Sequence, residues 1–288
     1  MQSAAIISFG LPQNRPLIHD TVWPVRSTWL RILLGSALLA GCASVTPPPR
    51  TLTVFAAASL RAAFTELGAQ FEAAHAEVVV SFNFAGSQQL AVQLREGAPA
   101  DVFASASDRQ MQAAIESERV APESPQAFAR NRLVVIYARD NAAPLSALPD
   151  LARPGLKLIL AAKEVPVGQY TLDFLDKAQA DPAFHPGYKE AVLSNVVSYE
   201  ENVRVVLSKV ALGEADGGIV YASDVSGEGV TGVGRIEVPD HLNPLATYPI
   251  APIGDSAQAE LARAFVEFVL SPDGQATLSR HGFIAAKP

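Results

Sequence analysis

Two serines stand where an apolar, strand-like run hands over to a helix-like run: Ser59 in FAAASL and Ser87 in FAGSQQL. A hydroxyl at such a junction has two uses. As an N-cap it accepts from the free N–H groups of its own helix. Turned toward solvent beside those groups, it joins them in donating to an anion, because a helix start concentrates unpaired donors and partial positive charge. Successive strand ends of an open α/β sheet share one crevice, so two consecutive turns of this kind point toward a common anion site. Val165-Pro166-Val167-Gly168 and Glu201-Asn202-Val203-Arg204 read as two further helix starts. Pro166 suits the first helical position, where its missing N–H costs nothing, and it leaves the Val167 amide among the free donors. Val203, inside a helical pattern, reads equally well as core. Tyr221 closes the apolar run GGIVY, where a tyrosine ordinarily packs with its hydroxyl at the edge.

Other chemistries lack their parts. Neither serine lies in a GxSxG turn, and no histidine accompanies either block, so a serine hydrolase or transferase would be without its base. The five histidines (His19, His75, His185, His241, His281) are scattered without ligand spacing, and one cysteine cannot build a disulfide or a Cys-rich metal centre. Gly227 to Gly232 matches GxGxxG, but GVGRIEVP leads into a strand where a dinucleotide site needs a helix.

The elements that must position these residues alternate short apolar strands with amphipathic helices from Thr51 onward, the rhythm of an α/β protein with a largely parallel sheet. LTVFA, VVVSF and DVFAS are strands, with helices after Ser59, from Ser87 to a stop at Gly97, and after Asp108. A second series runs through LVVIYA, LKLILAA, a helix after Pro166, a helix from about Glu200 to Ala211, GGIVY and RIEVP. YPIAPI and two closing helices follow. Two α/β series with a returning C-terminal segment predict two lobes, 51–132 with 249–288 and 133–248, joined by two crossovers around a cleft. The length of 288 residues allows each lobe its own core.

The lone cysteine is informative by position. WLRILLGSALLAG, behind Arg26 and Arg31, ends in Leu39-Ala40-Gly41-Cys42. The run is too short to span a bilayer, which needs about 20 apolar residues. It resembles a lipoprotein signal peptide over residues 1–41, with Cys42 lipidated as the mature N-terminus and residues 42–50, three prolines included, as a stiff tether. Beyond residue 41 the chain keeps 19 basic and 28 acidic residues. That acidic balance argues against nucleic acid and gives an anion no long-range attraction, so its site must rely on local donors.

TVFAAASL, FAGSQQLAVQLREGAPADVFASAS, EVPVGQYT, ENVRVVLSKVALGEADGGIVYASDV and SPDGQATLSRHGF resemble, in order and spacing, the periplasmic molybdate-binding proteins of ABC importers. The resemblance implies a two-lobed periplasmic-binding-protein fold of type II and a monomer without cofactor or enzymatic activity. It implies molybdate or tungstate as ligand and a membrane permease as partner. Block by block it points to Ser59, Ser87, Val167, Val203 and Tyr221 as the oxyanion-binding residues. Where many relatives have Pro-Ala-Gly this chain has Pro166-Val167-Gly168, a change that preserves a backbone donor while altering the local fit. None of the five positions is charged, which suits a dianion carrying no proton; sulfate or another small oxyanion is the alternative ligand.

Overall fold

The computed structural model describes residues 49–139, 145–226 and 231–286. Cys42, the signal segment 1–41, most of the tether and Gly227 to Val230 of the glycine-rich loop lie outside the described residues.

In chain order, β1 (Arg50–Ala57), α1 (Arg61–Ala74), β2 (Val78–Ala85), α2 (Ser87–Arg95), β3 (Val102–Ala104), α3 (Asp108–Glu116) and β4 (Gln126–Asn131) open the molecule. β5 (Leu133–Ala138), β6 (Leu158–Ala161), α4 (Pro166–Ala180), α5 (Tyr188–Ser194), β7 (Val196–Glu200), α6 (Val203–Ala211), β8 (Gly217–Tyr221) and β9 (Val233–Glu237) follow. β10 (Ala246–Pro252), α7 (Ala259–Leu270), α8 (Pro272–Arg280) and β11 (Ile284–Ala285) complete it.

The strands form two sheets, β11-β4-β10-β3-β1-β2 and β7-β6-β8-β5-β9. The first draws on both ends of the described chain and the second only on its middle, so the fold is α/β with two lobes. The chain crosses between them twice, with Arg132 alone separating β4 from β5 and the return made before Ala246.

Both sheets are mixed, which corrects the expectation of largely parallel ones. β1 pairs β2 and β3 in parallel, as β6 pairs β7 and β8. β10 and β5 run antiparallel to their neighbours. A parallel neighbour needs a crossover helix, whereas strands that arrive from the other lobe enter without one.

α1 and α7 cover one face of the first sheet through Phe64, Phe71 and Phe265, with Phe71 and Phe265 edge-to-face at 5.2 Å. α2 and α3 cover the other through Leu90, Leu94 and Met111, all buried against Phe103. In the second sheet Leu133 to Ile136 are fully buried, as an uninterrupted apolar run predicts for a central strand. Gly97, with φ +85°, ends α2 as expected.

Candidate functional site

Three helices begin at one place between the sheets. α2 starts from Gly86, α4 from Val165 and α6 from Asn202, and the short helical turn Ala58–Leu60 leads into α1 beside them. Between them lies a small cavity. Its walls are Ala57 to Ser59, Gly86, Ser87, Ala106, Val165 to Val167, Asn202, Val203 and Tyr221. The structure thus brings Ser59, Ser87, Val167, Val203 and Tyr221 together, although the first two belong to one lobe and the other three to the second. No lining side chain carries a charge.

Each helix start leaves particular amides over. In α6 the Asn202 carboxamide oxygen accepts from the N–H groups of Arg204 and Val205 at 3.0 and 3.2 Å, so the cap uses the second and third amides and leaves that of Val203. This places the helix start at Val203, not near Glu200, which ends the strand Val196–Glu200. In α4, Gln169 donates to the Val165 carbonyl, Pro166 has no N–H, and the Val167 amide has no acceptor in the first turn. In α2, Gln89 donates to the Gly86 carbonyl, leaving the amides of Ser87 and Gln88.

Neither serine caps a helix. Ser87 is the first residue of α2, and its hydroxyl oxygen accepts from the Ala106 N–H at 3.0 Å. With the oxygen engaged, its proton is available to another acceptor. Ser59 sits within the turn Ala58–Leu60, 3.0 Å from the Tyr248 hydroxyl, to which the Asn131 amide donates at 3.4 Å. If that order continues, Asn131 donates to Tyr248, Tyr248 donates to Ser59, and the Ser59 proton is left over.

Tyr221 ends β8 with 1 % exposure, and its hydroxyl has no hydrogen-bond partner among the described residues. Burial first, with the nearby Tyr248, Tyr170 and Asp224 in support, pushes the phenol well above its ordinary range, so it remains a proton donor. A buried donor without an acceptor costs about 1–3 kcal/mol. The position calls for a ligand oxygen.

One acid lies behind this wall. Asp224 is fully buried; one carboxylate oxygen accepts from the Tyr221 N–H at 3.1 Å and the other lacks a hydrogen bond, with Arg204 3.9 Å away. Burial raises its carboxyl to about 7, against the opposing pull of Arg204 and the Tyr221 amide.

Sequence reasoning missed Ala106, Tyr248, Asn131 and Asp224. Asn202 had a legible signal, an Asn directly before a helical pattern. Tyr248 had none, lying 189 residues from its partner Ser59. No group of three or more potential metal ligands occurs among the described residues.

Comparison with known proteins fits this architecture. Residues 52–284 match the family model of bacterial extracellular solute-binding proteins. A protein of Mycobacterium tuberculosis named molybdate-binding protein ModA is 37 % identical over 275 residues, covering 92 % of this chain and 99 % of that protein. A structure described as the substrate-binding domain of a putative molybdenum ABC transporter from Clostridium difficile matches with TM-score 0.61 and 28 % identity, covering 82 % of this chain and 99 % of that one. The sulfate-binding protein SubI of M. tuberculosis superposes with TM-score 0.74 over 83 % of this chain and 88 % of that one, but at 16 % identity it speaks for the fold alone. The chain belongs to the bacterial extracellular solute-binding protein family, whose members work outside the cytoplasm.

Proposed function

We propose that this protein captures molybdate or tungstate between its lobes and delivers it to the membrane permease of an ABC importer, acting as a binding protein and not as an enzyme. The observation that carries the reading is the cavity itself: uncharged, built from both lobes, and holding a buried Tyr221 hydroxyl with no other acceptor. Ser59, Ser87 and Tyr221 donate through side chains, and Val167 and Val203 through backbone amides. Hydrogen bonds to a charged partner contribute about 1.5–3 kcal/mol each, so five neutral dipoles suffice to hold a dianion without a cation. Protonated phosphate needs an acceptor for its proton, and no carboxylate lines the cavity. The name of the 37 % identical relative supports molybdate over sulfate.

We assign the lobes to 51–132 with 246–288 and to 133–245, the return falling three residues before the expected 249 because Ala246 to Tyr248 pair with β4, and the protein acts as a monomer in the periplasm or on the outer face of the cell envelope, anchored through a lipid on Cys42. Replacing that cysteine, Cys42→Ser, is expected to release the protein from membranes; continued retention would refute the anchor.

Calorimetric titration at pH 7 with molybdate, tungstate, sulfate and phosphate tests the ligand. Molybdate and tungstate are expected to bind tightly and phosphate not at all. Tighter binding of sulfate would replace the ligand while leaving the binding role intact.

A further inference from the structure

Two loops of the second lobe, those that start α4 and α6, are each held by glutamine side chains of the first. Gln88 donates to the Glu201 carbonyl at 2.8 Å, and Gln89 donates to the Glu201 carboxylate at 2.9 Å. Gln110, on α3, donates to the Glu164 carbonyl at 3.3 Å. These bonds sit next to the anion donors: Gln88 and Gln89 follow Ser87 directly, Glu201 stands two residues before Val203, and Glu164 three before Val167. Gln89 is held from its other end as well, its carboxamide oxygen accepting from the Gly86 N–H at 3.0 Å. The chain Gly86–Gln89–Glu201 therefore runs from the turn that carries Ser87, across the cleft, to the turn that carries Val203.

Gly86 marks the point of closest approach. Its φ of −59° and ψ of 136° are open to any residue, so backbone conformation does not require glycine there. Space does. A Cβ on Gly86 would lie 2.5 and 2.6 Å from the Gln88 carboxamide, which can swing away at the cost of its bond to Glu201, and 2.6 Å from the Glu201 carbonyl oxygen, which is backbone of the opposite lobe.

We propose that Glu201, Gln88 and Gln89 form an interlobe clasp, with Gly86 as its contact point, that sets how long the closed protein retains its oxyanion. The clasp rests on the binding role proposed above and adds Glu201, Gln88 and Gln89, whose side chains lie outside the cavity wall that Gly86 borders. It acts only when the lobes are together, so it governs release and leaves capture to the donors of the cavity.

Stopped-flow tyrosine fluorescence of the full chain with molybdate tests the clasp, with calorimetry on the unmodified protein as reference. Gly86→Ala is expected to raise the dissociation rate by about tenfold or more while association stays within about twofold, since affinity changes within one interface fall mainly on release. Glu201→Ala is expected to shift the same rate in the same direction. Glu201→Gln keeps an oxygen able to accept from Gln89 and is expected to restore slow release, a rescue that a merely structural role would not give. Unliganded melting temperatures should be unchanged in all three. Release at the unmodified rate in both Gly86→Ala and Glu201→Ala would overturn the clasp, as would slower association with unchanged release. Failure of the unmodified protein to bind any of the four oxyanions would strike the proposed function itself, and the clasp with it.

Discussion

The two halves of the cavity hold their donors in opposite ways. In the first lobe each hydroxyl is already engaged: Ser87 accepts from the Ala106 amide, and Ser59 is tied to Tyr248 and through it to Asn131. In the second lobe the Tyr221 hydroxyl is buried without a partner, and Asp224 behind it is buried with one oxygen unbonded. The first half is satisfied before any ligand arrives, and its protons are aimed by what they accept. The second half carries an unmet demand that an anion oxygen would meet. Such a division suits capture followed by closure, because the unmet demand of the second half is relieved only when both halves meet the ligand.

Ser87→Ala should break the comparison most severely. It removes a donor to the anion and also the acceptor of the Ala106 N–H, so molybdate affinity should fall about 10- to 100-fold and the melting temperature of the unliganded protein should fall too. Calorimetry and thermal denaturation read the two effects separately. Ser59→Ala should act in the same way through Tyr248.

Tyr221→Phe is expected to lose about tenfold in affinity, yet to leave the unliganded protein as stable or more so, because it deletes an unpaired buried hydroxyl. Opposite signs for binding and stability in Tyr221→Phe, and like signs in Ser87→Ala, would sharpen the contrast between the halves. Loss of stability in both would erase it.

Asp224→Asn addresses the same burden through pH. A buried carboxyl raised from 3.8 to about 7 disfavours the folded state wherever the unfolded chain is ionised. The penalty is absent well below pH 4, grows between about pH 4 and 7, and is complete above. Asparagine still accepts from the Tyr221 amide and carries no charge, so its denaturant midpoint should gain on that of the unmodified protein as pH rises through this window. Parallel curves would show that Asp224 stays ionised at no cost.

The smallest effects concern the backbone donors. Asn202→Ala frees two amides of α6 and should cost about 1 kcal/mol of stability in urea unfolding, with a lesser effect on binding because the Val203 amide is not the one capped. Val167→Ala leaves its amide in place; affinity should stay within about threefold, since only a buried side chain is trimmed.

How much of this was legible in the sequence follows from the range of the forces involved. The helix starts at Pro166 and Val203, the stop at Gly97 and the buried strand of Leu133 to Ile136 were readable because a proline, an asparagine, a glycine and an apolar run each act on their own segment. β4 and β7 were not. QAFARN lacks a run of apolar or β-branched residues, and it becomes a strand only by pairing with β10 and β11, distant in sequence. VVSYE sits at a sheet edge with Val197 58 % and Tyr199 55 % exposed, so one of its faces lacks the cover that a buried strand has. At the site, the residues flanking helix starts were visible one by one. What aims their protons was not, because Tyr248 and Ala106 reach the serines through the fold alone, and the alternative reading of either serine as a helix cap fails for the same reason.

The most direct test of the central claim is a crystal structure of the molybdate-loaded protein, with the ion placed by the anomalous scattering of molybdenum. One peak is expected in the cavity between the lobes, with oxygens within hydrogen-bond distance of the Ser59, Ser87 and Tyr221 hydroxyls and the Val167 and Val203 amides, and no lysine or arginine in contact. A peak elsewhere, a cationic side chain gripping the ion, or a Tyr221 hydroxyl turned away from it would contradict the account.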